Sequence, residues 1–125
     1  MKYSIRIDHE LKIIRYQHSG LINAEDIEDA WSEFLKIQEF TQLKYKLLSD
    51  YRGGKFQIPV THLSAIIDFM SKIKNIVKGK KQALIVDNPY SVAASMLFEN
   101  RVYKEIGFDV KVFSTKTEAL RWLIN

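Results

Sequence analysis

Gln82-Ala83-Leu84-Ile85-Val86-Asp87-Asn88-Pro89 is the stretch that decides the fold. Its run Ala83-Leu84-Ile85-Val86 is apolar without interruption, the pattern of a strand covered on both faces. Asn88-Pro89 then starts a helix, because an asparagine side chain caps free N–H groups and proline fits the first turn. That helix ends at Gly107, with Phe108 placed for a Schellman-type contact, and Val110 to Ser114 reads as the next strand. Strand, helix and strand in this order need a crossover connection, so the two strands run parallel.

Upstream the same alternation continues. Tyr45 to Asp50 reads as a strand, Arg52-Gly53-Gly54-Lys55 as a loop at its carboxyl end, and Pro59 with Thr61 announces a helix. Leu63, Ile66, Ile67, Met70, Ile73 and Val77 share one face of that helix, which Gly79 ends. Asn23 caps an earlier helix from about Ala24 to Gln38, whose first turns carry Glu25, Asp26, Glu28 and Asp29 near the positive end of the dipole. The chain opens on Tyr3-Ser4-Ile5-Arg6-Ile7-Asp8, alternately apolar and polar, turns at His9-Glu10, and returns through Leu11 to Gln17 as a hairpin. Thr115-Lys116-Thr117-Glu118 matches a capping box for a short terminal helix. The order β-β-α-β-α-β-α-β-α predicts one α/β domain over residues 1–125, a mixed sheet of about five strands with helices mainly on one face.

Composition narrows what such a domain does. The 125 residues are 46% hydrophobic and 27% charged, which fits one globular domain and excludes intrinsic disorder. No apolar run approaches the roughly 18–20 residues that cross a bilayer. Met1-Lys2-Tyr3-Ser4 leads straight into strand pattern, so neither a signal peptide nor a membrane span is expected. The absence of cysteine excludes disulfides, thiol catalysis and thiolate metal sites, and a reducing cytoplasm is the simplest home. The net charge of +4 comes wholly from residues 63–125, where Lys72, Lys74, Lys78, Lys80 and Lys81 fall in a segment without acids. Lysines at a helix end favour its negative pole, and no arginine-rich arm or recognition motif accompanies them, so nucleic acid is not an expected partner.

The whole chain resembles a STAS-type domain, the fold of sporulation anti-sigma-factor antagonists. More closely it is similar to the stand-alone bacterial SpoIIAA-like group placed with STAS and CRAL-TRIO lipid-binding folds. The residues that carry the resemblance are the opening strand, Ser19-Gly20-Leu21-Ile22 before the first helix, and Asp50-Tyr51-Arg52 after the third strand. Val112-Phe113-Ser114-Thr115 leading into Glu118-Ala119-Leu120-Arg121-Trp122-Leu123 matches best. The resemblance implies a regulatory module phosphorylated on a serine where the helix after strand three begins. Here that region reads Ile58-Pro59-Val60-Thr61-His62-Leu63-Ser64-Ala65, without the paired serines or the flanking acid and glycine. Thr61 and Ser64 are the nearest hydroxyls, and Thr61 also reads as a helix cap.

Ligands of open α/β sheets sit outside the carboxyl ends of parallel strands. That rim carries Asp50, Arg52, Gly53 and Gly54, then Asp87, Asn88 and Tyr90, then Ser114 and Thr115. Arg52 beside two glycines can face an anion, or it can pair with Asp50. Glu99 falls among Val92, Met96, Val102, Tyr103 and Ile106 on the expected apolar stripe, where burial would raise its pKa. His9, His18 and His62 are scattered, and no metal or cofactor motif is present. No nucleophile elbow occurs, so no catalytic residue is assigned.

Excess hydrophobicity is the stronger functional sign. Phe69 and Ile76 lie beside the main stripe of the second long helix, and Ala93, Ala94, Leu97 and Phe98 lie off the stripe of the third. This predicts a non-enzymatic module that binds a protein partner, or a second copy of itself, through the flank of these two helices. The alternative is a lipid-like or amphipathic ligand held beneath them, its anionic head met by Lys72, Lys74 or Arg52. Phe69→Glu distinguishes a surface from a core position: loss of binding with unchanged thermal stability marks an exposed patch, and failure to fold marks core.

Overall fold

The computed structural model describes residues 3–125. Met1 and Lys2, read above as the approach to the first strand, lie outside the described residues. The hairpin strands are β1 (Tyr3–Asp8) and β2 (Ile13–His18), paired antiparallel from Tyr3 opposite His18 to Asp8 opposite Ile13. A short β3 (Gly20–Ile22) leads into α1 (Ala24–Phe34), α2 (Gln38–Thr41), β4 (Lys46–Asp50) and β5 (Gly54–Phe56). A 3-10 turn at Val60–His62 precedes α3 (Leu63–Lys72) and α4 (Lys74–Val77). The chain ends with β6 (Lys81–Ile85), α5 (Pro89–Ile106), β7 (Asp109–Phe113) and α6 (Lys116–Ile124). Among the described residues the main sheet runs β1-β2-β4-β6-β7, with every pair after the hairpin parallel.

Strand alternation sorts the side chains onto two faces. Ile14, Tyr16, Leu47, Leu84, Val86 and Val110 face the larger core, which α1, α3 and α5 cover together with Phe40 of α2 and Val77 of α4. Ile13, Leu48, Ala83 and Ile85 face the other side, where α6 alone supplies Ala119 and Leu123. Aromatic rings fill the larger core edge-to-face: Tyr16 against Phe34 at 5.3 Å, Trp31 against Phe34 at 5.3 Å, and Trp31 against Phe108 at 5.9 Å. Two lysines, Lys46 and Lys81, reach the last carbonyls of α6, so basic groups stabilise the negative end of that helix.

Several expectations change in detail. The first helix stops at Phe34, and the chain turns so that Phe40 of the separate α2 is fully buried. The second long helix breaks at Ile73, whose φ of −112° and ψ of 23° leave the helical region. Thr61 caps nothing and lies exposed in the 3-10 turn. At α6, Thr115 accepts from the Glu118 amide at 3.3 Å, but the Glu118 carboxylate pairs with Arg121 and leaves the capping box half made. The complete box is at α1, where Asn23 and Asp26 exchange bonds at 2.9 Å. On α5 the buried positions are Ser91, Ser95, Val102 and Ile106, while Met96 and Tyr103 are exposed. Two small serines share the buried side with Val102 and Ile106, so of the expected stripe Met96 and Tyr103 turn outward while Val92, Val102 and Ile106 face the core.

The lysine-rich segment is not one patch either. Lys80 is buried, with its ammonium 4.2 Å from the Phe40 ring centroid and bonded to the Phe40 carbonyl. Burial first, then Lys44, pushes its pKa down. Lys81 lies over Trp122, and only Lys72, Lys74 and Lys78 of the five are exposed.

The turn after β4 is built on an ion pair. Asp50 accepts from Arg52 Nε at 2.9 Å, from Nη2 at 2.6 Å and from the Arg52 amide at 3.1 Å. Burial raises the Asp50 pKa, but the bonds from Arg52 outweigh it and hold the carboxyl below its ordinary value near 3.8. A depressed folded pKa gives stability that is present above the unfolded value and lost as pH falls through the folded one. Asp50→Asn should therefore cost about 1 kcal/mol at pH 7, modest because the guanidinium is solvent-screened. In denaturant titrations the gap from wild type should narrow below about pH 4 and close in stronger acid. Phe108→Ala, which empties a fully buried ring site, should cost about 3–5 kcal/mol by the same measurement.

Candidate functional site: a cleft beneath α3 and α5

Gly54 begins the site. Its strand β5 pairs in parallel with β3, Gly20 opposite Gly54 and Ile22 opposite Phe56, a two-stranded ribbon that the sequence reading treated as loop. A Cβ on Gly54 would stand 2.7 Å from Ile22 Cδ1 and 3.0 Å from the Tyr51 carbonyl oxygen, so this approach admits only glycine. The start of α5 then ties the ribbon and the following loop in place. Asp87 accepts from the Gly53 amide at 3.1 Å, and Asn88 Nδ2 donates to the Gly54 carbonyl at 3.0 Å. The Phe56 amide donates to Ser91 Oγ at 3.3 Å, and the Tyr90 hydroxyl donates to the Ile58 carbonyl at 2.5 Å.

The tied loop frames a cleft of about 680 Å³, including its open mouth. Val60 and Leu97 form the mouth and are 57% and 46% exposed. Trp31 of α1, Leu63 and Ile66 of α3, and Ala94 and Phe98 of α5 contribute to its walls. Deeper in lie Tyr51, Leu84 and two polar side chains, Gln82 of β6 and Ser95 of α5, each only 2% exposed. Gln82 Nε2 donates to the buried Ser49 Oγ at 3.0 Å. Gln82 Oε1 and Ser95 Oγ have no hydrogen-bond partner among the described residues. Burial pushes the Tyr51 hydroxyl pKa up against a smaller opposing bond with Ser49, so this phenol stays neutral.

Of the residues singled out in the sequence, Leu97 and Phe98 line this cleft, and Tyr90 holds its loop. Phe69 lines a second, smaller hollow between α1 and α3, of about 350 Å³ with its open part, and packs half-buried on the larger core. Ile76 is likewise half-buried against that core, and Lys72 is exposed at the end of α3. Asp50 and Arg52 bind each other outside the cleft lining. Asp87 is exposed and engaged by Gly53, so the sheet rim does not gather into one anion site. Glu99 is half-buried on α5 away from the cleft lining; burial raises its pKa, opposed by Lys111 and reinforced by Asp109. Thr61 and Ser64 are exposed, and Arg101 Nη1 donates to Ser64 Oγ at 3.3 Å. His9 meets the Tyr45 hydroxyl at 3.1 Å, His62 is exposed, and buried His18 meets the Tyr16 hydroxyl at 2.5 Å.

Ser49, Gln82 and Ser95 went unread in the sequence. Their signal was polarity at positions that periodicity buries: Gln82 stands two residues before Leu84 in a strand covered on both faces.

No protein-family model matches the chain, and no curated protein matches it. Among solved structures it is similar to an uncharacterised protein of the DUF3478 family, with a SpoIIAA-like fold, from Shewanella loihica PV-4. The two superpose with a TM-score of 0.57 at 17% sequence identity, over 97% of this chain and 93% of the other. A five-stranded mixed sheet with helices α1 to α5 on one face and the terminal α6 on the other thus gives this chain a SpoIIAA-like, STAS-type fold.

Proposed function

We propose that this domain is a non-enzymatic binding module that holds a small amphipathic molecule, lipid-like in its apolar part, in the cleft beneath α3 and α5. The observation that carries the reading is the pairing of an apolar, open-mouthed cleft with partnerless polar atoms at its inner end. Each such atom costs about 1–3 kcal/mol when buried unmatched, and a cleft wall left bare forfeits dispersion contacts. A ligand with an apolar body and a polar end offsets both. Neither Asp87 nor Glu99 lines the cleft. A cysteine-free chain fits a cytoplasmic home.

A second reading, association with a protein partner or a second copy, draws on α5. Its residues Met96 and Tyr103 are 55% and 59% exposed and stand seven positions apart, two turns along one side.

The two readings diverge in native mass spectrometry of protein purified without detergent. A monomer carrying a lipid-sized mass supports the cleft, and an empty dimer supports association. Binding of the neutral fluorescent probe N-phenyl-1-naphthylamine adds a site-specific check. Ala94→Phe, which fills the cleft, should weaken the probe at least about tenfold, whereas Met96→Glu on the outer side should leave it unchanged. Equal binding by wild type and Ala94→Phe would remove the cleft as the site.

A further inference from the structure

The polar groups of the cleft specify which end of a ligand goes in first. As the amide is oriented, Gln82 spends its Nε2 on Ser49 and turns an oxygen, an acceptor only, to the cleft. Ser95 offers a hydroxyl that donates and accepts. Both belong to side chains 98% removed from solvent, whereas the mouth at Val60 and Leu97 is apolar and exposed. Among the described residues no lysine, arginine or histidine lines the cleft. The exposed Lys72 and Lys74, expected to meet an anionic head, stand outside the lining.

An ionised carboxylate or phosphate carries acceptors alone and would set negative charge against the Gln82 oxygen with no cation beside it. Its desolvation would go uncompensated. A hydroxyl or primary amide carries both a donor for Gln82 and an acceptor for Ser95. We propose that the cleft selects a neutral ligand with an alcohol or primary-amide end, inserted polar end first against Gln82 and Ser95, with its aliphatic tail toward Val60 and Leu97. This assignment rests on the cleft reading above and adds to it the polarity, charge and direction of the ligand.

The test uses the full chain and three probes of similar size: octan-1-ol, its isomer heptyl methyl ether, and octanoate at pH 7.5. The ether keeps the oxygen acceptor and loses the O–H. A site that hydrogen-bonds an O–H rejects the analogue lacking it, because the buried acceptor is then left unmatched. Titration followed by backbone amide NMR should show octan-1-ol binding at least about tenfold more tightly than either competitor, with shifts at Gln82 and Ser95. Ser95→Ala removes a partnerless group and should fold normally, and it should weaken alcohol and ether alike by severalfold, since both offer Ser95 an oxygen acceptor, while the preference for the alcohol over the ether is kept. Gln82→Met should abolish that preference, its folding checked by thermal melt since Ser49 loses a bond. Equal binding of alcohol and ether overturns the polar-end assignment while leaving the cleft reading intact. Tightest binding by octanoate overturns it in favour of an anionic head. Failure of all three probes to shift any cleft resonance overturns the cleft reading together with the assignment.

Discussion

The side chain of Asn88 makes two bonds on which the site depends. Its oxygen accepts from the Ser91 amide and caps α5, while its nitrogen donates to the Gly54 carbonyl and fixes β5. One residue thereby sets where the longest helix begins and how far the β5 ribbon stands from it. Asp87, Tyr90 and Ser91 on the same turn add further bonds to the segment from Gly53 to Ile58. Phe56, Ile58 and Val60 of the chain held in this way line one side of the cleft. A backbone amide or carbonyl left without these partners inside the fold would be costly, so the four side chains act together.

The second constraint is the double burial of β6. Its flanking strands are parallel, and apolar side chains emerge on both faces, so helices must cover both. The short α6 closes the smaller face with Ala119 and Leu123, and lysines from β4 and β6 hold its carboxyl end. The larger face receives the helices α1 to α5 and most of the aromatic rings. On that face Ser49 and Gln82, with His18 of β2, interrupt a mostly apolar surface. Filling their place with leucine or valine would be the simpler route to stability. Gln82 lines the cleft beside an equally buried Ser95, and the proposed ligand would give that polarity a use.

Much of the architecture was legible along the chain because it is written in local periods. The alternation of Tyr3 to Asp8, the apolar run Ala83 to Val86, the caps at Asn23 and Asn88 and the stop at Gly107 each report on neighbouring residues through backbone geometry. The β3–β5 ribbon was not legible: it joins three-residue segments 34 positions apart, and neither is long enough to show a period. The buried side of α5 was legible only in part, for a related reason: Val92, Val102 and Ile106 do face the core. Hydrophobic spacing assumes that apolar residues face inward, but close approach to the sheet there is met by Ser91 and Ser95, with Met96 and Tyr103 turned out.

The sequence by itself determined the class of fold, the order of its main elements and the absence of thiol chemistry, since these follow from nearest-neighbour patterns and composition. Tertiary structure alone decided where a cleft forms and which side chains line it. Gln82 and Ser95 lie thirteen residues apart on a strand and a helix, and Val60 comes from a third element. Only packing brings them to one cleft, and only packing removes water from two of them while leaving the third in solvent.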